Sequence, residues 1–251
     1  MPIYTFLIVC PLLFVAGFVD SIAGGGLISL PAYLLAGLPI HSAIATNKFS
    51  SAFGTALTTA RFIKERLVVA KLAVPSLLCG FFGAAIGARL SLYVPENVLK
   101  SMLLGVLPLA AFCVLNRKIF KADENAELKA NSKTFAVVMT SALVIGCYDG
   151  LYGPGTGTFL IIAFTALAKM PVKNANAHTK VINLATNVSS LVVFLIHGQV
   201  LIPLGIVAAA SNMLGNYFGS GLVMTKGSKI VKPLILVVLT LLLAKIIMDF
   251  S

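Results

Sequence analysis

Two aspartates and two lysines lie where the surrounding sequence is apolar. Asp20 closes GFVD and opens onto Gly24-Gly25-Gly26, while Asp149 closes GCYD and opens onto Gly153-Pro154-Gly155-Thr156-Gly157. Lys48 sits beside Thr46, Asn47, Ser50 and Ser51, and Lys180 beside Thr179, Asn183, Thr186 and Asn187. Ammonium, amide and hydroxyl groups together are suited to a small anion, and a charge within an apolar membrane segment is costly enough that it usually has a task. A Gly-rich interruption adds to this set, because a helix that restarts after a break leaves its first amides free and carries partial positive charge there.

These features predict anion-binding residues Gly24, Gly25, Gly26, Asn47, Lys48 and Ser51 in one part of the chain. In the other they predict Gly153, Gly155, Thr156, Thr179, Lys180, Asn183 and Asn187. Thr179, Asn183 and Asn187 recur at i, i+4 and i+8, one polar stripe on a helix that should face a cavity. Lys48→Ala and Lys180→Ala are expected to weaken anion binding without unfolding the protein. A competing reading has both lysines snorkelling to lipid headgroups, each being a turn or two from its segment's start. Asp20 and Asp149 have three readings: proton carriers, partners of the lysines, or caps of broken helices. Capping or pairing is preferred, because Asp must be well desolvated before it titrates near neutral pH.

No catalytic set, metal site or cofactor is expected. His41, His178 and His197 fall at segment ends, where interfacial placement is the default, although His178 is close enough to Lys180 to line an entrance. There is no HExxH, and GPGTG lacks the Gly-Lys-Ser/Thr of a phosphate loop. Cys10, Cys79, Cys113 and Cys147 are scattered singly and read as small packing residues.

The elements that must position these residues are transmembrane helices. The 251 residues are 59% hydrophobic and 11% charged, with mean hydropathy +1.00, and such a chain cannot cover itself with polar surface, so its solvent is lipid. Apolar stretches cover 4–20, 27–38, 42–62, 72–93, 97–116, 134–149, 158–169, 176–197, 201–224 and 229–248. Several reach the roughly 20 residues of a membrane span, whereas 27–38 and 158–169 fall short. Runs such as Leu234 to Leu243 are apolar on every face, which excludes a β-barrel and leaves an all-α transmembrane bundle. No Lys or Arg precedes Lys48, so the first segment lacks a signal peptide's positive region and is expected in the mature protein. The net charge of +11 sits in short loops without a long basic run, which argues for membrane topology and against nucleic acid.

The chain also repeats itself. Asp20 aligns with Asp149 at an offset of 129, and after one three-residue gap Lys48 aligns with Lys180, Gly83 and Gly87 with Gly215 and Gly219, and Lys100 with Lys232, at 132. This divides the chain into repeats at 1–116 and 134–251, joined by a polar cytoplasmic linker at 117–133. The loop from Arg61 to Lys71 has net charge +3, while its counterpart from His197 to Pro203 has no Lys or Arg. The next pair of loops shows the reverse bias, so equivalent loops are expected on opposite sides of the membrane, with both termini outside. That is the inverted-repeat design of many secondary transporters, in which short segments broken by Gly or Pro mark a midplane site. The GxxxG pairs read as ordinary helix packing.

GFVDSIAGGGLISLPAYLLAGLP with ATNKFSSAFGT, and YDGLYGPGTGTFL with NAHTKVINLATNVSSLVVFLIHGQV, resemble the sulfite exporter family TauE/SafE over nearly the whole chain. The resemblance implies a bacterial inner-membrane permease for sulfur-containing anions such as sulfite, sulfonates or sulfoacetate, commonly an exporter, with a substrate that varies within the family. It points to Asp20, Gly24 to Gly26, Asn47, Lys48, Asp149, Gly153, Gly155, Thr179, Lys180 and Asn183 as motif positions. The leading expectation is an alternating-access carrier of a small anion, coupled to protons or sodium, with membrane lipid as its other partner; a homodimer is compatible with it. A passive anion channel would use the same cage. An intramembrane enzyme would need a nucleophile with His, paired catalytic carboxylates or a metal motif.

Overall fold

Proline and glycine set the helix boundaries. Pro39 and Pro171, equivalent at the offset of 132, precede two long helices with φ −56°, ψ 144° and φ −55°, ψ 142°, extended values at which a helix stops and restarts. Just upstream of them, Gly37 and Lys169 both adopt left-handed backbone (φ 82° and 55°), and so do Arg66 and Gly198 (φ 58° and 65°), again one repeat apart.

The computed structural model describes residues 3–23, 26–99, 101–102, 105–106, 108, 128 and 131–226. Gly24, Gly25, Lys100, Cys113, Lys232, most of the 117–133 linker, much of the 97–116 stretch and the 229–248 stretch lie outside these residues. The helices are α1 (Ile3–Ala23), α2 (Gly26–Leu35), α3 (Ile40–Lys64), α4 (Ala70–Ser91), α5 (Ser132–Leu151), α6 (Thr156–Ile162), α7 (Val172–Ile196) and α8 (Ile202–Lys226). A π-helical turn, Ala163–Leu167, continues α6, and there is no strand among the described residues. The protein is all-helical and multi-pass. Four of the described helices, α1, α4, α5 and α7, are long and apolar enough to cross a membrane. Helix α2 is far shorter, at 10 residues, and α6 shorter still, at 7. The basic segment Arg61 to Lys71 is partly helical: Arg61 and Lys64 form the last turn of α3, where cations complement the exposed carbonyls.

Helix α1 packs mainly on α8, and α4 on α5. Glycine makes both contacts close. A Cβ on Gly83 or Gly87 would collide with the carbonyls of Leu143 and Cys147 on α5, and one on Gly215 or Gly219 with those of Phe14 and Phe18 on α1. Phe14 and Phe18 stand 129 residues before Leu143 and Cys147, so the same backbone contact is built twice. On its other face α4 exposes Val74, Leu78, Phe82, Ile86 and Leu90 at four-residue spacing, an apolar stripe suited to lipid. Helices α3 and α7 cross in the interior, each packed on the other.

Candidate functional site

The interior of α3 and α7 is polar because each helix carries its lysine, amides and hydroxyls on the buried side. Lys48 is 2% exposed and Lys180 0%, so neither ammonium snorkels to a headgroup. Each forms an ion pair with the aspartate in the other half of the chain, Lys48 Nζ to Asp149 Oδ1 at 2.9 Å and Lys180 Nζ to Asp20 Oδ1 at 2.9 Å. The aspartates are thus paired with the lysines. Two buried ammoniums and two buried carboxylates cancel, which is the condition under which such groups persist away from water.

The two pairs are dressed differently. Thr156 Oγ1 donates to Asp149 Oδ1 at 2.8 Å and also lies 2.7 Å from the Gly153 carbonyl, tying the carboxylate to the turn between α5 and α6. At the offset of 129 that relates Asp20 to Asp149, Thr156 corresponds to Leu27, which has no hydroxyl to give. Gly155 caps α6 in left-handed conformation (φ 86°) and thereby aims Thr156 back at Asp149.

A polar cavity of about 30 Å³ opens between these elements, room for two or three waters at roughly 10–15 Å³ each. Helix α3 lines it with Asn47, Lys48 and Ser51, and α7 with Asn183 and Asn187. Gly26 from the first chain break, and Gly153, Thr156 and Gly157 from the second, close it beside Asp20 and Asp149. The breaks themselves touch: a Cβ on Gly26 would stand 3.4 Å from both the Gly153 carbonyl oxygen and Pro154 Cα.

Among the residues singled out in the sequence, the structure thus gathers Gly26, Asn47, Lys48, Ser51, Gly153, Thr156, Asn183 and Asn187 around one space. Thr179 is fully buried but does not line it, and Lys180 meets the wall only through Asp20. Gly155 shapes the turn without lining. Gly157 lines the cavity although the sequence marked it only as the end of GPGTG.

His178 does not line the cavity: it is fully buried and its Nε2 accepts from Val69 N–H at 3.2 Å, while Asn174 Nδ2 donates to the Leu67 carbonyl at 3.0 Å. These side chains at the start of α7 hold the α3–α4 loop. One repeat earlier, Thr46 Oγ1 accepts from Leu201 N–H at 3.1 Å and holds the α7–α8 loop. Asn176 Nδ2 donates to the Ser21 carbonyl at 3.1 Å, beside Asp20.

Gly153 faces Lys48 and Asp149 with φ 103°; an added Cβ would lie 3.1 Å from both Lys48 Nζ and Asp149 Oδ1. Gly153→Ala is therefore expected to cost about 1–2 kcal/mol in backbone conformation and to crowd the ion pair. The check is thermal unfolding together with anion affinity, both of which should fall.

Similarity to other proteins extends over almost the entire chain. Residues 9–246 match the family model described as sulfite exporter TauE/SafE. A probable membrane transporter protein, ORF9 of Sinorhizobium sp, is 38% identical over 238 residues, covering 94% of this chain and 90% of the relative. The probable membrane transporter protein YfcA of Escherichia coli K12 is 34% identical, covering 93% and 86%. YdhB of Bacillus subtilis, also described as a probable membrane transporter protein, is 23% identical, covering 82% and 84%. No solved structure matches. With a family match of this extent and relatives above 30% identity across the same span, the chain belongs to the sulfite exporter TauE/SafE family of membrane transporters.

Proposed function

We propose that this protein is a secondary carrier of the bacterial inner membrane that moves small sulfur oxyanions, such as sulfite, sulfonates or sulfoacetate, outward by alternating access. The observation that carries the reading is the meeting of two chain breaks and two polar helix faces around one cavity charged by Lys48, Asp20 and Asp149. Amides of Asn47, Asn183 and Asn187, the Ser51 hydroxyl and Lys48 offer donors to an oxyanion. The paired backbone contacts, paired left-handed residues and opposite loop charges support two repeats of opposite orientation, and such repeats rock against each other around a fixed site.

The test is ligand-dependent thermal unfolding of the purified protein with sulfite, thiosulfate, methanesulfonate and acetate. A transported anion at 100 times its Kd is expected to add about 2.7 kcal/mol of stability, with the sulfur oxyanions ahead of acetate. No stabilisation by any of the sulfur oxyanions, with no counterflow in proteoliposomes, would sink the proposal.

A further inference from the structure

Resting on the carrier reading, we infer that a monovalent anion enters this cavity together with one proton, that Asp149 binds the proton, and that Lys48, released from Asp149, becomes the anion's counter-charge. The starting point is charge balance. Lys48, Lys180, Asp20 and Asp149 sum to zero in paired form, so an added anion would leave one negative charge uncompensated where burial makes that costly. A proton restores neutrality, and the cavity's carboxylates are the groups on its wall that accept one.

Geometry selects between the two carboxylates. Lys48 lines the cavity and Lys180 does not. Protonating Asp20 would release an ammonium that does not face the anion, whereas protonating Asp149 releases one that does. Asp149 Oδ1 accepts from both Lys48 and Thr156, while its Oδ2 is buried and makes no hydrogen bond among the described residues. The proton goes to Oδ2, converting carboxylate to carboxylic acid; Thr156 keeps its bond to Oδ1, so the neutral acid stays in place as Lys48 turns away. Gly153 leaves open the space beside Nζ and Oδ1 that a Cβ would occupy.

The charged and titratable groups around Asp149 are Lys48 from α3, Asp20 from α1 with Lys180 of α7 attached to it, and Tyr148 and Tyr152 on its own segment. Helix α4 meets α5 through Gly80, Gly83, Ala84 and Gly87. The step balances: one proton and one anion enter, one neutral pair leaves on the other side. Outward movement then requires an internal excess of anion larger than the proton ratio opposing it.

Methanesulfonate is the probe, because it stays singly charged at any pH the protein tolerates. Its Kd is measured by thermal shift at successive pH values, and protons taken up per anion are counted by calorimetry in two buffers of different ionisation heat. The expected result is about tenfold tighter binding for each unit of pH lowered and about one proton taken up. Asp149→Asn should flatten the pH dependence, and the charge-balanced double variant Asp20→Asn with Lys180→Met should keep it, because it removes the other ion pair whole. A wild-type proton count of zero overturns the proposal, as does a slope that survives Asp149→Asn or vanishes in the double variant. If Asp149→Asn does not fold, infrared difference spectra replace it: a protonated-carboxyl band that appears on binding and persists in the double variant supports Asp149, and its absence from wild type or from the double variant overturns the assignment. Failure of methanesulfonate, sulfite and thiosulfate alike to bind at every pH would instead remove the carrier reading itself.

Discussion

Lys180→Met is expected to lower stability by about 3–5 kcal/mol, the cost of leaving a buried carboxylate without its counter-charge. Lys180 is fully buried, and its ammonium lies 2.9 Å from Asp20 Oδ1. The double variant Lys180→Met with Asp20→Asn removes both charges and should regain most of the loss, because the desolvation of the pair disappears along with its attraction. Thermal unfolding in mild detergent of both single variants and the double variant closes the cycle. A Lys180→Met protein as stable as wild type would mean that the pair is not formed. The pairing changes what the sequence led us to expect of Lys180→Ala, a binding defect in an otherwise stable protein. Lys48→Ala falls in between: Lys48, unlike Lys180, itself lines the cavity, so the space it vacates opens to a few waters that soften the penalty.

Gly87→Ala is expected to destabilise by about 3 kcal/mol, the upper end for overpacking. The added methyl overlaps the Cys147 carbonyl oxygen and also comes within 2.7 Å of Leu151 N and 2.8 Å of Cys147 C. All three are backbone atoms of α5, so relief requires the two helices to separate, which would also loosen the Asp149 segment at the end of α5. Gly105→Ala provides the control. Among the described residues nothing lies within 4 Å of its Cβ position, and alanine there is expected to change stability by less than about 0.5 kcal/mol. Equal effects of the two substitutions in the same unfolding assay would show that α4 and α5 do not approach through Gly87.

Much of this arrangement was readable in the chain because it depends on local chemistry. Pro39 and Pro171 cannot continue a helix, and the short apolar runs after Gly26 and Gly155 announce α2 and α6. Asn183 and Asn187 share a face by helical spacing alone, and both reach the cavity. Thr179 extends that stripe by one turn, yet it is buried without lining the cavity, a tertiary outcome that spacing does not contain. The choice of partners was equally hidden. Lys48 and Asp149 are 101 residues apart and Lys180 and Asp20 are 160 apart, so the pairing across repeats is a tertiary outcome. The burial of His178 was hidden for a similar reason: the α3–α4 loop folds over it and supplies Val69 N–H.

The exchange of partner helices between the two halves of the chain, α1 with α8 and α4 with α5, bears on how the protein assembles. Lys48 and Asp20 come early in the chain, and the groups that neutralise them, Asp149 and Lys180, come more than 100 residues later. Neither lysine can therefore be buried as part of an ion pair until α5 and α7 have been made, so the charged centre closes late in synthesis.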